Sequence, residues 1–197
     1  MTGTIEIEEI KAAHTQYDVA SFITNRFSPR AFSEKSISET VMNTLFEAAS
    51  WAASANNEQP WVYYFAHKNT EGFDKIWSCL MEGNQPWAKN AAALVVTVAR
   101  KTFERNGNNN VAAEHDLGMA NATLLLQARA LDIFAHPMGG FYKDKTVEML
   151  GLDEKNTPIC VLALGYLGDV EQLEEPFKSR ELTPRIRKPL EDFVKKV

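Results

Sequence analysis

Two short, unbroken apolar runs set the strongest limit on how this chain of 197 residues folds. One covers residues 93–99 (Ala-Leu-Val-Val-Thr-Val-Ala) and the other residues 158–166 (Pro-Ile-Cys-Val-Leu-Ala-Leu-Gly-Tyr). Runs of this kind are typical of central strands, because both faces of such a strand are covered by packing. The sequence therefore predicts a sheet with a layer of structure on each side.

A long helix is predicted between these two strands. Residues 111–131 carry apolar or small side chains around almost the whole circumference, which is typical of a buried central helix. Helical spacing and capping patterns predict four more helices, and an aromatic-rich run predicts one more strand. The helices cover residues 5–25, 38–53 (with a capping box of Ser36 and Glu39), 73–81 and 143–150 (ended by Gly151), and the strand covers residues 61–67.

The order of these elements indicates the fold class. Helices and strands do not follow the strict strand–helix–strand alternation of a doubly wound sheet, so we predict an α+β fold. Its central sheet is expected to be mixed or mostly antiparallel and flanked by helices. Neither an internal repeat nor a linker is visible, and residues 1–197 are predicted to form a single domain.

The charge is small overall but unevenly distributed. With 21 basic and 26 acidic residues the net charge is −5, which disfavours the broad basic face that nucleic-acid binding needs. Residues 176–197 nevertheless hold seven basic and three acidic side chains, a net +4, which leaves −9 for the rest. Arg26 and Arg30 form a second basic island. Two local cationic clusters in an acidic chain favour the binding of one small anion.

Several site classes are disfavoured. The chain has neither a Gly-x-Gly-x-x-Gly fingerprint nor a P-loop, and its four histidines share no ligand spacing, so we expect no metal site. Cys79 and Cys160 are expected to be buried free thiols. The longest strongly apolar run, residues 91–99, is about half of the roughly 20 residues that span a bilayer. The acidic start lacks the features of a signal peptide, so a cytoplasmic location is expected.

Three segments combine polar side chains with small or aromatic ones. Residues 26–30 (Arg-Phe-Ser-Pro-Arg) offer two guanidiniums and a hydroxyl, which suit a phosphate, although solvated surface arginines explain them equally well. Residues 51–61 form a polar loop flanked by tryptophans, which is also a simple helix stop. Residues 136–141 contain Gly139 and Gly140, which allow close approach of a ligand to the backbone or merely a turn.

Taken together and in order, six motifs resemble the FMN-dependent nitroreductase family over nearly the whole chain. The resemblance implies a nitroreductase-like fold, an interlocked homodimer and two FMN sites at the interface, each built from both chains. The motifs are residues 26–32 (Arg-Phe-Ser-Pro-Arg-Ala-Phe), 54–61 (Ser-Ala-Asn-Asn-Glu-Gln-Pro-Trp), 116–121 (Asp-Leu-Gly-Met-Ala-Asn), 137–141 (Pro-Met-Gly-Gly-Phe), 164–166 (Leu-Gly-Tyr) and 185–191 (Arg-Ile-Arg-Lys-Pro-Leu-Glu).

The resemblance also implies which residues bind FMN. The phosphate side would be formed from both chain ends, the pyrimidine end of the flavin would meet a basic residue, and a glycine segment would cover one flavin face with the Gly139 N–H directed at N5. A loop from the partner subunit would lie against the flavin. The implied cofactor-binding residues are Arg26, Phe27, Ser28, Arg185 and Arg187 (phosphate side), Arg30 (pyrimidine end), Asn84 (ring edge), Pro137, Met138, Gly139 and Gly140 (glycine segment), and Ser54, Asn56 and Asn57 (loop).

The implied function is an oxidoreductase in which NAD(P)H reduces bound FMN, leaves, and is replaced by a nitroaromatic, quinone or similar flat acceptor. The flavin itself would carry the chemistry, so no catalytic protein residue is expected. Ala53, Phe27 and Trp87 depart from the family's usual residues, and the absence of a Lys at residue 87 would alter the charge around the flavin. Two alternatives remain: a specialised enzyme of the same fold (dehalogenation, flavin fragmentation or ring dehydrogenation), or a non-catalytic flavin- or nucleic-acid-binding module.

Overall fold

The fold is known from a computed structural model, which describes residues 7–197. Its centre is a four-stranded sheet in the order β1-β2-β4-β3, in which all neighbouring strands are antiparallel. The strands are β1 Trp61–His67, β2 Ala93–Arg100, β3 Phe134–Met138 and β4 Asn156–Gly165. The predicted α+β class and the three predicted strands are confirmed.

Helices cover both faces of this sheet. The helices are α1 Ser21–Thr24, α2 Glu39–Ser50, α3 Glu71–Ser78, α4 Gln85–Ala88, α5 Ala113–Ala130, α6 Lys143–Leu150, α7 Phe177–Glu181 and α8 Leu190–Phe193. Residues 7–10 are also helical, and single 3₁₀ turns lie at Ala55–Asn57 and Val170–Gln172. Gly151 ends α6 with a φ of 63°, as predicted.

Successive side chains of the central strands point to opposite faces of the sheet and so contribute to two separate cores. Val95 and Leu164 point to the face covered by α2 and α5, whereas Leu94 and Val96 point to the other face. That second face is covered by α3, α4 and residues 27–32, which pack Phe27, Phe32, Phe73, Ile76 and Trp87 into one apolar cluster. The sheet is therefore buried on both sides, as the two apolar runs require.

Strand β3 was not predicted, because its Pro137 argues against a strand. Within residues 7–197 it lies at an edge of the sheet and pairs with β4 alone, from Phe134 opposite Gly165 to Met138 opposite Val161. Proline lacks a backbone N–H and is tolerated in strands mainly at such edges. The edge position explains how a strand can form at this point.

The prediction of a helix over residues 5–25 is wrong for the part that the structure describes. Residues 7–10 and Ser21–Thr24 are helical, and the stretch between them is irregular; residues 5 and 6 lie outside the described residues. Tyr17 and Phe22 are 63% and 47% exposed, so their helical spacing buries little in this chain. Short helices depend on packing of an apolar face, and that packing is missing here.

Two other helix predictions need correction. The cap of α2 is Ser38, whose Oγ accepts from the Val41 N–H at 3.3 Å; Ser36 does not cap the helix. Helix α5 is not buried all round, because Gly118, Met119 and Ala122 form an exposed strip on the side away from the sheet. Periodicity alone does not show whether an apolar helix face is covered by its own chain or by another molecule.

The segment after Gly168 contains α7 and α8. Cys79 is fully buried and Cys160 partly so, and both are free thiols. Within residues 7–197, no helix is both long enough and apolar enough to cross a membrane.

Candidate functional site

Arg26, Arg185 and Arg187, which we call the cationic cluster, come together from opposite ends of the sequence. The Arg185 guanidinium donates to the carbonyl oxygens of Arg26, at 2.7 Å, and of Thr24. These bonds fix the C-terminal segment against the residues that follow α1. The structure therefore places three of the five predicted phosphate-side residues in one place.

The cluster carries unbalanced positive charge. Burial lowers the pKa of Arg26 and of Arg185, and the nearby Arg187 lowers both further. Guanidinium groups nevertheless stay protonated in proteins, so the repulsion persists. The three side chains border a cavity of about 560 Å³ together with Lys188, and none of its lining residues is acidic. A bound anion would relieve the repulsion.

Ser28 and Phe27 occupy different environments within this segment. The Ser28 Oγ accepts from Arg26 Nη1 at 3.4 Å, so the hydroxyl lies beside the cationic cluster. The Phe27 ring is 3% exposed and packs against Phe134 of β3, with 4.8 Å between ring centroids. Because its side chain belongs to the core, only the backbone of Phe27 remains to contact a ligand.

Arg30 is held by a buried acid that the sequence analysis did not single out. Glu181, at the end of α7, is 0% exposed, and its Oε1 accepts from the backbone N–H groups of Arg30 at 2.8 Å and Ala31 at 3.4 Å. Its Oε2 lies 3.8 Å from Arg30 Nη1. Burial raises the pKa of Glu181 above its ordinary value, although the two N–H groups and the charges of Arg30 and Lys11 oppose the shift. Burial lowers the pKa of Arg30, and Glu181 opposes that shift.

The glycine segment, residues 137–140, spans the end of β3 and the two residues after it. Met138 is 2% exposed and belongs to the core, whereas Pro137 and Gly139 are exposed. The backbone N–H groups of Gly139 and Gly140 make no hydrogen bond to any of residues 7–197. A Cβ built on Gly139 has no atom within 4 Å. Two neighbouring backbone donors are therefore without a partner in this part of the chain, and the first of them borders open space.

Asn84 holds the backbone of this segment at Gly140. Its Nδ2 donates to the Gly140 carbonyl oxygen at 3.0 Å, and the Met81 N–H donates to the same oxygen. A Cβ at Gly140 would lie 2.8 Å from Asn84 Nδ2, which only glycine avoids without a shift. The structure thus brings predicted residue 84 to the glycine segment, where its amide holds the backbone.

A neutral histidine, also missed as a site residue, connects the glycine segment to Arg30. His136 Nδ1 lies 2.9 Å from the Pro29 carbonyl oxygen, and its ring stacks on Trp87 at 4.4 Å. Burial lowers its pKa to about 4, so at neutral pH Nδ1–H donates to Pro29 and Nε2 is an acceptor. The Cζ atom of Arg30 lies 5.9 Å from the centre of the Trp87 ring. No pattern along the chain marked this contact, since residues 30, 87 and 136 are distant in sequence.

Ser54, Asn56 and Asn57 lie elsewhere. Their loop, residues 54–59, precedes β1 at the opposite edge of the sheet from β3, and two strands separate these edges. Asn56, Asn57 and Gln59 all have φ between 53° and 56°. Such backbone is uncommon outside glycine and is often found at functional sites.

The loop is held in this conformation by two acceptors. Asp116 Oδ2, buried on α5, accepts from the Ala55 N–H at 2.9 Å, and Ser54 Oγ accepts from the Gln59 N–H at 3.0 Å. Asn121, one helical turn further on, is hydrogen-bonded to Tyr63 of β1 and Thr97 of β2, which fixes α5 on the sheet. The motif at residues 116–121 therefore positions the loop. Among the described residues, no group of three or more His, Cys, Asp or Glu side chains could hold a metal ion.

Comparison with known proteins identifies the class of this fold and site. A model of the nitroreductase family matches residues 23–86 and 79–166. The chain therefore belongs to the nitroreductase family of oxidoreductases.

Individual relatives agree with this assignment. A solved structure of an oxidoreductase containing FMN is 34% identical, with a TM-score of 0.87, and the match covers 93% of each chain. A protein of Archaeoglobus fulgidus, provisionally named NADH dehydrogenase/NAD(P)H nitroreductase, is 28% identical over 157 residues, which are 78% of this chain and 87% of that protein. A nitroreductase family protein of Streptococcus pneumoniae TIGR4 shares the fold at 17% identity, with a TM-score of 0.72 over 89% of this chain and 98% of that one.

Proposed function

We propose that this chain binds FMN and passes reducing equivalents from NAD(P)H to a flat acceptor such as a nitroaromatic or a quinone. The single observation that carries the proposal is the cationic cluster, three arginines around one cavity that have no acidic partner among residues 7–197. The similar solved structure that contains FMN and the Archaeoglobus relative named for NAD(P)H support the choice of cofactor and reductant.

The residues present fit FMN. Its phosphate is roughly a dianion at neutral pH, and a buried dianion needs charged hydrogen-bond donors. Arg26 and Arg187 would supply the charge, and Ser28 a neutral donor. The guanidinium of Arg185 already bonds two carbonyl oxygens, so we assign it the role of fixing the tail and adding charge. Its buried Nε has no hydrogen-bond partner among residues 7–197.

The other end of the site fits a flat, partly polar ring. Gly139 and Gly140 offer free backbone N–H groups, and the absence of a side chain at residue 139 leaves room for a ring to approach. Asn84 holds Gly140 in place, and the Trp87–His136 stack supports Arg30 beside the segment. These contacts are preformed in the single chain.

When bound, FMN accepts and donates a hydride at N5. The protein's part is to hold the phosphate, to present the Gly139 N–H to the ring and to set the charge near it through Arg30. His136 is neutral at pH 7 and its Nδ1 proton is held by Pro29, so it does not supply a proton. We assign no acid–base step to a protein side chain, so the proton that accompanies the hydride to the acceptor would come from water. NAD(P)H and the acceptor would bind in turn at the same open side of the site, in a ping-pong exchange.

We propose further that the active unit is a homodimer in which the loop of residues 54–59 reaches the partner's site. Within one chain this loop and the glycine segment lie at opposite sheet edges. In addition to the exposed strip of α5, the described chain exposes large apolar side chains that a second copy would cover. They are Tyr17, Phe22, Ile23, Trp51, Val111, Met119, Ile186 and Phe193.

The purified protein tests the cofactor proposal. We expect a yellow protein whose released flavin is FMN, and reduction of the bound flavin by NADPH or NADH under anaerobic conditions. A protein that stays colourless after incubation with FMN would overturn the proposal. Bound FMN without turnover on a panel of nitroaromatics and quinones would instead favour a specialised enzyme of this fold.

The dimer is tested with a charge on the exposed strip of α5. Ala122→Glu is expected to convert the dimer to a monomer in sedimentation and to weaken FMN binding, because a buried unpaired carboxylate opposes association. Ala130→Glu, on an exposed residue at the end of the same helix, is the control. A monomeric wild-type protein with tightly bound FMN would contradict the two-chain site.

A further inference from the structure

Glu181 is a buried acid that lies next to Arg30 and outside the proposed FMN contacts. Its carboxylate is 0% exposed, and removing such a charge from water is costly unless partners compensate. Compensation here is uneven: Oε1 accepts two backbone N–H groups, whereas Oε2 has no hydrogen bond within residues 7–197. The Arg30 guanidinium lies opposite Oε2, at 3.8 Å.

The contacts of Glu181 all converge on one end of the candidate site. The two N–H groups belong to Arg30 and Ala31, which directly follow the phosphate-side segment. Glu181 therefore holds both the backbone and the side chain of Arg30. It lies four residues before Arg185, so the same short tail segment supplies two arginines of the cationic cluster and the acid that holds Arg30 and Ala31.

Lys11 holds Glu181 in turn. The Lys11 ammonium donates to the carbonyl oxygens of Arg180 at 3.0 Å and Thr183 at 2.6 Å, on either side of the acid. Lys11 is itself 9% exposed. An acid fixed by a second buried charge has little freedom to move away from Arg30, so the ion pair is part of the built site.

We propose that Glu181 is a positioning residue for the flavin: it holds Arg30 beside the glycine segment and cancels part of the charge that Arg30 presents there. The inference rests on the proposed FMN function. Reduced FMN carries more negative charge than oxidised FMN, so a free cation nearby favours the reduced form and a paired one favours it less. Glu181 would thus keep the midpoint potential lower than Arg30 alone would set it.

The test is the two-electron midpoint potential of bound FMN, measured by equilibration with a reference dye. Glu181→Gln retains an oxygen that accepts both N–H groups but loses the charge. We expect reduced FMN to gain about tenfold in affinity relative to oxidised FMN, a rise of about 30 mV. Glu171→Gln, which removes an exposed carboxylate paired with Lys178 in the same tail, is the control and should leave the potential unchanged.

A double variant shows whether the effect belongs to the pair. Glu181→Gln with Arg30→Gln removes both charges. Because a compensated pair exerts little net field, we expect the affinity for reduced FMN relative to oxidised FMN to stay within about threefold of the wild-type ratio. Replacement of a buried ion pair by neutral groups is commonly tolerated, so the double variant remains informative if Glu181→Gln alone does not fold.

A potential that rises in Glu181→Gln and stays within about threefold of the wild-type affinity ratio in the double variant supports the proposal. An unchanged or lowered potential in folded Glu181→Gln overturns it and leaves a merely structural role for Glu181, and so does a double variant that departs further than this from the wild-type ratio. If Glu181→Gln does not fold, the double variant alone decides. Failure of the wild-type protein to bind FMN would reject the proposed function itself, which is a different result from FMN bound at an unmoved potential.

Discussion

The two edges of the sheet carry two very different parts of the candidate site. At the β3 edge, the cationic cluster, Arg30 and the glycine segment are joined by direct contacts within one chain. At the β1 edge, the loop of residues 54–59 contacts none of them and is held by Asp116 on α5. The first part is dense in charge and partly buried, whereas the second carries one charge, on Glu58, is partly exposed and has unusual backbone angles.

This difference indicates how the work of binding is divided. Charge must be brought together inside one folded chain, because repelling arginines stay close only when fixed by other contacts. A loop with little charge and a preset backbone can be delivered from another subunit at little cost in ordering entropy. Four predictions, from the largest expected effect to the smallest, separate the two parts.

The largest effect is expected from the charged part. Arg26→Gln combined with Arg187→Gln should weaken FMN binding by about 10²- to 10⁴-fold, since each charged hydrogen bond contributes about 1.5–3 kcal/mol. Fluorescence titration of FMN into the apoprotein measures this. Arg105→Gln with Lys155→Gln, two exposed residues away from the cluster, changes the net charge equally and should have little effect. Equal losses of FMN affinity in both double variants would show that binding depends only on the net charge of the protein.

The second prediction concerns pH and the buried histidine at the β3 edge. The pKa of His136 is lowered to about 4 in the folded protein, so below pH 6.5 the unfolded state binds more protons and the folded state loses stability as pH falls. The loss between pH 6.5 and pH 4 should reach up to about 3 kcal/mol. Urea unfolding at both pH values measures it.

Matched variants isolate this contribution. His136→Gln should reduce the loss of stability across that pH range, whereas His115→Gln, on an exposed residue beside Asp116, should leave it as in the wild type. A wild-type pH dependence in His136→Gln would contradict the buried, neutral state of this ring.

The third prediction concerns the β1 edge. Asp116→Ala leaves the Ala55 N–H without its acceptor and should destabilise the protein by about 2 kcal/mol, because that bond involves a charged group. FMN binding should fall as well if the loop serves a partner's site. Glu114→Ala, an exposed acid two residues away on α5, is the control in thermal unfolding and FMN titration. Unaltered FMN affinity in a folded Asp116→Ala protein would remove the loop from the proposed site.

The smallest effect on stability separates two neighbouring glycines. Gly140→Ala forces Asn84 to shift and should cost about 1 kcal/mol, whereas Gly139→Ala meets no atom within 4 Å and should stay within about 0.5 kcal/mol. If a ring lies against residue 139, Gly139→Ala should still weaken FMN binding. Apoprotein unfolding and FMN titration of both variants decide this, and an FMN affinity unaffected by Gly139→Ala would place the ring elsewhere.

Much of the fold followed from local patterns. Strands β2 and β4 were predictable because uninterrupted apolar runs are typical of strands that are buried on both faces. Helix α6 was predictable because Gly151 marks its end. The helix over residues 5–25 was predicted wrongly, since spacing gives an apolar face but not a surface to cover it. Strand β3 was missed because local propensity counts Pro137 against a strand, while an edge position removes the objection.

The candidate site divides in the same way. Arg26, Arg30 and Arg187 were recognisable because charge clusters and family motifs are written along the chain. Glu181 and His136 were not, because a lone acid or histidine is informative only through its contacts, with Arg30 and with Pro29 and Trp87. The sequence by itself determined three of the four strands, the presence of the central helix and the types of residue available to hold an anion. Only the tertiary structure decided which arginines meet, which one is paired with a buried acid and which loop lies at the far edge, because long-range contacts depend on how the layers pack.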